Sequence, residues 1–540
     1  MKIHHHGGIL SGTAPPPTRQ QWLGLVAISL GVALIVVDIT IVNVILAPII
    51  DDLEVGSAEA QWVQESYAIV FAALLLVTGR LSDLHGARRV FLVGLVVFGV
   101  TSLLAAAAPG GGTLILARAL QGIGGAMILP TSLALLNMTF TGAARGKAFA
   151  IWGSTIGAAA AVGPLLGGWL ADFSWRWAFG VNIPLVALIM TGVLLYLPAS
   201  PRTRGRVDFV GALLSALGLG LFAFALIEGR THGWLLTTAP LDIGGLSWSG
   251  GPSPVLVSFA AAALALLAFW RRQASLSRGG EEPLMDVGLF AIPSFRNGNV
   301  VTLTVGLGEF GIIAVLPLWL QFTLGYSAFE AGLALVALAA GSFVASGASF
   351  SMTATVPPLA QVRIGLVLEA VGLLVLALTA TTDSAWWIIA LALFVYGVGV
   401  GFATAQVTNI VLADVPAERA GQGAGIQSAA RELGSALGIA LLTTLFFSTL
   451  TSGLRDRLTD SGMPADAADQ LSSTVTESAG SVIPSLPDAT ADAAREAMTG
   501  GLALSGYVCA ALLALALLAT LFVTPRTPAP DKAEANRTTA

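Results

Sequence analysis

Apolar residues in this chain come in unbroken blocks of about 20, the length that carries a helix across a bilayer. Polar positions gather between the blocks, where charge, Pro or Gly closes each one. Fourteen blocks predict fourteen membrane-spanning helices, near 22–48, 58–79, 90–108, 112–137, 147–171, 178–198, 208–228, 254–271, 298–323, 330–352, 361–380, 385–412, 423–450 and 500–523. One long polar segment, 451–499, interrupts the pattern. It is rich in Ala, Asp, Ser and Thr, and reads as a short helical cap or a disordered loop.

Composition agrees with the pattern. Of 540 residues, 55% are hydrophobic and only 11% charged, with a mean hydropathy of +0.82. A soluble domain carries about 25% charge, so a cytosolic enzyme is excluded. The single cysteine, Cys509, allows no disulfide framework and no Cys-based metal site. No metal and no cofactor is expected. The strings GxxxxGK[ST], HExxH and GxSxG are absent, so neither ATP-driven pumping nor common hydrolytic chemistry has support.

The basic residues set the expected orientation. With Met1 inside, nineteen of the 26 Lys and Arg residues fall on the inner side, five outside and two, Arg118 and Arg431, within spans. That bias predicts both termini in the cytoplasm. A shift of 275 residues places Gly122, Gly124, Gly146, Ile151 and Gly163 on Gly397, Gly399, Gly421, Ile426 and Gly438. This internal repeat predicts an all-α membrane protein of two six-helix, pseudo-symmetric bundles. The expected division is a cytoplasmic tail (1–21), an N-terminal bundle (22–198), a linker with two inserted transmembrane helices (199–297), a C-terminal bundle (298–523, with 451–499 an extracellular loop) and a second cytoplasmic tail (524–540).

Several strings carry chemistry. GRLSDLHGARR, residues 79–89, sits at an inner helix–helix connection, where Gly79 and Gly86 permit tight approach. Its Asp83, Arg88 and Arg89 can latch two bundles together. LILARALQGIGGAMILP, residues 114–130, buries Arg118 in an apolar span, with Gln121 one turn on and on the same face. In the fifth span, Ala159, Gly163 and Gly167 form a small-residue stripe, Pro164 predicts a kink, and Gly168 completes GPLLGG. VVDITIVNVILAP, residues 36–48, holds Asp38 well inside a span, a candidate proton or cation site.

Taken in order, these strings resemble the signature motifs of the major facilitator superfamily, and of its fourteen-helix drug:proton antiporters. WRWAFGVNIP, at 175–184, and RELGSALGIA, at 431–440, are similar to this group too. The resemblance covers nearly all of 22–523. Ala87 departs from it where a basic residue is usual, and Ala159 where the first Gly of the antiporter motif is usual. The loop at 352–363 has lost the pattern. The resemblance implies proton coupling through Asp38 and Arg118, a cytoplasmic gate at Asp83 and Arg88, and an export direction set by Gly163 and Pro164.

Further acids lie within spans. Glu309 is the second titrating candidate and Glu65 the third, while Glu369 lies in the eleventh span. Arg431 and Glu432 read equally as a structural ion pair or as part of the gate. Asp38 and Gln121, with the aromatics Tyr67, Phe71, Trp152, Trp319 and Tyr396, are candidate contacts for a lipophilic cation; Trp and Tyr near span ends also serve as interfacial anchors. The expected function is proton-driven export of lipophilic, cationic drugs or dyes across a bacterial inner (cytoplasmic) membrane. The alternative is dedicated export of one metabolite or self-made antibiotic. The expected partners are small molecules, protons and lipid, with no nucleic acid, and the chain is expected to act as a monomer.

Overall fold

A computed structural model describes residues 17–522 apart from Gly56, Asp172, Arg204, Gly244, Gly245, Thr353 and Ala354. Some further side chains, those of Glu309 and Pro164 among them, lie outside the described residues, as do almost all of both expected tails. The helices are α1 (Arg19–Leu53), α2 (Ser57–His85), α3 (Ala87–Ala106), α4 (Gly111–Thr139), α5 (Gly142–Ala171), α6 (Arg176–Gly180), α7 (Asn182–Tyr196), α8 (Phe209–His232), α9 (Pro254–Gly279), α10 (Pro293–Phe322), α11 (Ala328–Met352), α12 (Pro358–Thr379), α13 (Trp386–Ala413), α14 (Ala420–Asp460), α15 (Ala465–Glu477) and α16 (Asp488–Ala519). A small antiparallel hairpin, Leu241–Ile243 with Leu246–Trp248, joins α8 to α9.

Local sequence accounts for the helix ends. Thr18 opens α1 with a capping box: its hydroxyl accepts the Gln21 N–H, and the Gln21 side chain accepts the Thr18 N–H. Asp208 caps α8, and Ser253 caps α9 with Pro254 following it. Helix α2 runs six residues past its expected end, because nothing in RLSDLH breaks a helix. It stops at Gly86, whose φ of +88° suits glycine. Asp83 therefore sits on the last turn of a helix and not in a loop.

By length and apolar content, thirteen helices among the described residues can cross a membrane, α6 and α7 forming one crossing. The remaining expected span, 147–171, lies inside α5, whose 30 residues cover roughly 45 Å at 1.5 Å per residue. Large apolar side chains such as Trp169, Phe209, Leu264 and Phe343 are mostly exposed. A bilayer covers such a belt; water does not.

The packing repeats. In the first half α2 packs on α4, α3 on α4, α1 on α5, and α7 on α1 and α3. In the second half α11 packs on α13, α12 on α13, α10 on α14, and α16 on α10 and α12. The halves meet through α2 against α14 and its counterpart α11 against α5. This is the pseudo-symmetric pair of bundles expected from the 275-residue repeat. The inserted α8 and α9 pack on each other, and α8 leans on α2.

Segment 451–499 takes the helical alternative. Helix α14 is 41 residues long, roughly 60 Å, twice the apolar thickness of a bilayer. Its far end packs on α15 and α16 around Leu454, Leu458, Val475, Ile483 and Ala494. Arg455 pairs with Asp469 at 2.8 Å and Arg457 with Glu496 at 3.2 Å on its surface.

Candidate functional site: a sealed ion pair and a latch between the bundles

Asp38 and Arg118 meet in the interior of the first bundle. Arg118 Nη1 donates to Asp38 Oδ2 at 2.5 Å. The same nitrogen reaches Gln121 Oε1 at 2.7 Å, and Arg118 Nε donates to the Val63 carbonyl at 3.2 Å. Asp38 Oδ1 accepts from Gln121 Nε2 at 2.9 Å and from Asn182 Nδ2 at 2.8 Å. Ser102 Oγ accepts from both of these amides, at 2.9 and 3.2 Å. Asp38, Gln121 and Ser102 have no exposed surface, and Arg118 and Asn182 have 1% each. Five helices thus meet in one buried network around the carboxylate, which itself accepts from α4 and α7.

Such a pair is costly to bury and holds only where its remaining donors and acceptors are satisfied. Here they are. Tyr67 closes the site, with its ring 4.5 Å from the guanidinium carbon of Arg118 and 5.7 Å from the Phe71 ring that stacks on it. Gly122 and Gly125 make this possible, since a Cβ on Gly122 would sit 2.7 Å from the Tyr67 carbonyl and one on Gly125 2.5 Å from Tyr67 Oη.

The small-residue stripe of α5 presses on the turn that holds Asp38. A Cβ on Gly163 would collide with Thr40 Oγ1 and lie 3.2 Å from the Val37 carbonyl. One on Gly167 would lie 2.8 Å from Ile41 Cγ1. Gly168 faces open space.

A second cluster joins the two bundles at the end expected to be cytoplasmic. The Asp83 carboxylate accepts the first free N–H groups of α14, from Gly421 at 2.6 Å and Gln422 at 2.9 Å. A helix N-terminus attracts an anion through its unpaired N–H groups and its dipole. Gly79 lets α2 and α14 touch: a Cβ there would meet Gly421 O at 2.6 Å and Gly425 Cα at 3.0 Å. Arg145 of α5 adds a bond to Asn409 of α13 at 3.0 Å. The linker joins in as well. Arg80 pairs with Glu282 at 2.6 Å, Asp286 pairs with Arg419, and the Asp286 N–H reaches Gln422 Oε1 at 2.8 Å. Arg88 stays within its own bundle, donating to the Leu194 carbonyl at 2.8 Å.

Loss of the Asp83 charge should loosen this end. Hydrogen bonds to a charged group contribute about 1.5–3 kcal/mol, so Asp83→Asn should raise the population with this end open by about tenfold or more. Spin labels on Arg206 and Glu418, in a background lacking Cys509, read this as a longer distance component. An unchanged distribution would show that Asp83 does not latch.

At the opposite end Asp52 pairs with Arg176 and accepts from Trp175 Nε1 at 2.9 Å. The Arg176 guanidinium and the Trp175 indole N–H hold the Asp52 carboxyl below the usual carboxylate range.

The other expected site residues are scattered. Trp152 donates to Ser132 at 3.1 Å inside the first bundle, and Trp319 to Thr499 at 2.9 Å inside the second. Tyr396 is fully buried with its Cβ turned to Gly372 of α12. In this conformation these three pack within the bundles and not between them. Glu65 is buried on α2, two residues before Tyr67. Arg431 lines a small cavity of mixed polar and apolar walls with Thr302, Val305, Thr408 and Gln427, and Glu432 follows it on α14. The Glu309 carboxyl and the Pro164 ring lie outside the described residues. Ser102, Asn182 and the Arg145–Asn409 bond were not foreseen. Asn182 had a signal, as a lone amide opening an apolar span within WRWAFGVNIP.

Two pseudo-symmetric helical bundles, a charge pair sealed in one of them and a latch between them define a transport protein of the alternating-bundle class. A family profile described as the Major Facilitator Superfamily matches residues 28–439, and the chain belongs to that superfamily. It is therefore a multi-pass membrane transporter rather than an enzyme. The chain is similar to a puromycin resistance protein of Streptomyces alboniger, 35% identical over 468 residues that span 84% of this chain and 88% of the relative. It is 33% identical to the multidrug efflux pump LfrA of Mycolicibacterium smegmatis, over 95% of this chain and 97% of the pump. A probable actinorhodin transporter of Streptomyces coelicolor is 32% identical over 82% of this chain and 75% of its own length. Among solved structures, a XylE double mutant aligns over 97% of this chain and all of its own, with a TM-score of 0.60 and 14% identity, a likeness of fold.

Proposed function

We propose that the protein is a proton-driven antiporter that exports lipophilic, cationic drugs or dyes across a bacterial cytoplasmic membrane. The observation that carries this reading is the Asp38–Arg118 pair, sealed from water and pressed by the Gly163 stripe. A proton on Asp38 removes the charge that holds Arg118, leaving the guanidinium to Gln121 and the Val63 carbonyl. The α1 turn is then free to shift against α5, which contacts the second bundle through α11 and α13. Substrate and proton need only favour opposite arrangements for exchange to follow. Asp83 and α14 form the inner gate, and the protein acts as a monomer with both termini in the cytoplasm.

A second reading is export of a single metabolite. It is favoured by relatives named for one compound each, puromycin, actinorhodin or tetracenomycin C. Ethidium uptake into inside-out vesicles with an acid interior separates the two. Uptake that collapses with a protonophore supports broad cation antiport. No uptake by correctly inserted protein would move the weight to the narrow exporter.

A further inference from the structure

We propose that Glu369 is a second proton-carrying carboxyl, held inside the C-terminal bundle, so that each cycle moves two protons. The proposal rests on the antiport reading above.

The pseudo-symmetry points to it. In the first bundle a Cβ on Gly124 of α4 would meet Phe98 N of α3 at 2.8 Å and Gly94 O at 3.0 Å. In the second, a Cβ on Gly399 of α13 would meet Glu369 Cγ of α12 at 2.6 Å and Gly365 O at 2.6 Å. The two crossings share one register, with Glu369 at the place of Phe98. In the first bundle the polar groups of α1, α3, α4 and α7 gather beside this crossing as Asp38, Ser102, Gln121 and Asn182. The counterpart helices of the second bundle bring in their own polar groups. Tyr396 of α13 lies 275 residues after Gln121, and Cys509 stands on α16, the counterpart of α7. Cys509 Sγ donates to the Gly308 carbonyl of α10 at 2.7 Å. That link copies the one from Asn182 of α7 to Asp38 of α1. Glu369, Tyr396 and Cys509 all have no exposed surface, and Gly506, about one turn before Cys509 on α16, packs on Ala377 and Leu373 of α12, one to two turns after Glu369.

The surroundings offer a proton site and no gate. Helix α12 packs on α13 and α16. Helix α13 carries no charged residue, and the charged residues of α16, Asp488, Asp492, Arg495 and Glu496, all lie in its first three turns. Tyr396 and Cys509 are the buried titratable groups of these two helices. On α12 itself, Arg363 is turned to Thr520, with bonds of 3.1 and 3.2 Å. Beyond α16, α10 carries Glu309, whose side chain lies outside the described residues. A carboxyl at mid-depth in a bilayer is expensive to keep and is functional by default. Glu369 stands at the middle of the 22-residue α12, packed on two helices that carry the buried Tyr396 and Cys509.

Two protons exchanged for one monovalent cation move net charge; one proton does not. In proteoliposomes, with ethidium as probe, transport is measured under a pH gradient and, separately, under an imposed potential. For the wild type, 100 mV of favourable potential should raise the limiting accumulation ratio by about 50-fold. Glu369→Gln should lose this response and keep accumulation driven by the pH gradient. Glu369→Asp, which retains the proton site, should keep both. If Glu369→Gln does not insert, Glu369→Met must show the same loss. A wild type indifferent to potential overturns the proposal, as does a Glu369→Gln variant with the full response. No pH-driven accumulation in any variant, the wild type included, would sink the antiport reading and this proposal with it.

Discussion

Asp38→Asn is expected to abolish accumulation driven by a proton gradient while the protein still inserts and folds. Asparagine has the shape of the aspartate, and its carbonyl can still accept from Arg118. What it lacks is the exchangeable proton. Coupling between two ligands is worth about 1–3 kcal/mol, a factor of roughly 5–150 in affinity, and this variant forfeits all of it, because the Glu369 proton is exchanged only in a cycle that the Asp38 proton opens. Gradient-driven ethidium accumulation should fall to the level of protonophore-treated vesicles. Substrate exchange without a gradient should persist, because the cavity and the gate are untouched. Asp38→Ala is the wrong control, since a buried guanidinium without its partner costs about 3–5 kcal/mol. Wild-type accumulation by Asp38→Asn would remove Asp38 from the mechanism.

The second large effect is expected at Gly163. Its Cβ position is already filled by Thr40, whose hydroxyl bonds the Val36 carbonyl at 2.8 Å. Forcing extra carbon into a packed contact costs about 1–3 kcal/mol, and more for a whole side chain. Gly163→Leu must therefore drive α1 away from α5, taking the Asp38 turn with it. Transport should fall below detection in protein that still reaches the membrane. Gly163→Ala should keep a reduced rate. Substrate binding measured on the purified variant tells a blocked cycle from a collapsed fold. Normal turnover by Gly163→Leu would refute the close-packing argument.

Much of this was legible in the sequence because the bilayer restricts the options. A 20-residue apolar block has one way to satisfy its backbone, as a helix, so the spans and the repeat could be read directly. Asp38, Arg118 and Gln121 stood out because charge and amide are rare inside a span, and the structure joins them. The ends of elements were harder. The apolar pattern puts Asp83 in a loop, yet nothing before Gly86 breaks α2, and its partner is a helix N-terminus 338 residues away. No residue type announces a free N–H. Asn182 and Ser102 were missed because a single small polar group on an apolar face looks like ordinary packing. The aromatics were chosen by position along the chain, which does not say whether a ring faces its own bundle or the other. Trp152 and Trp319 face their own.

Proton release on substrate binding tests the central claim most directly. Ethidium is added to purified protein in weakly buffered detergent solution, and the pH change is followed with a dye. Wild type should release protons in proportion to bound ethidium, and Asp38→Asn should release fewer by at least one per molecule. Equal release from both, at equal binding, would contradict the assignment of proton exchange to the Asp38–Arg118 site.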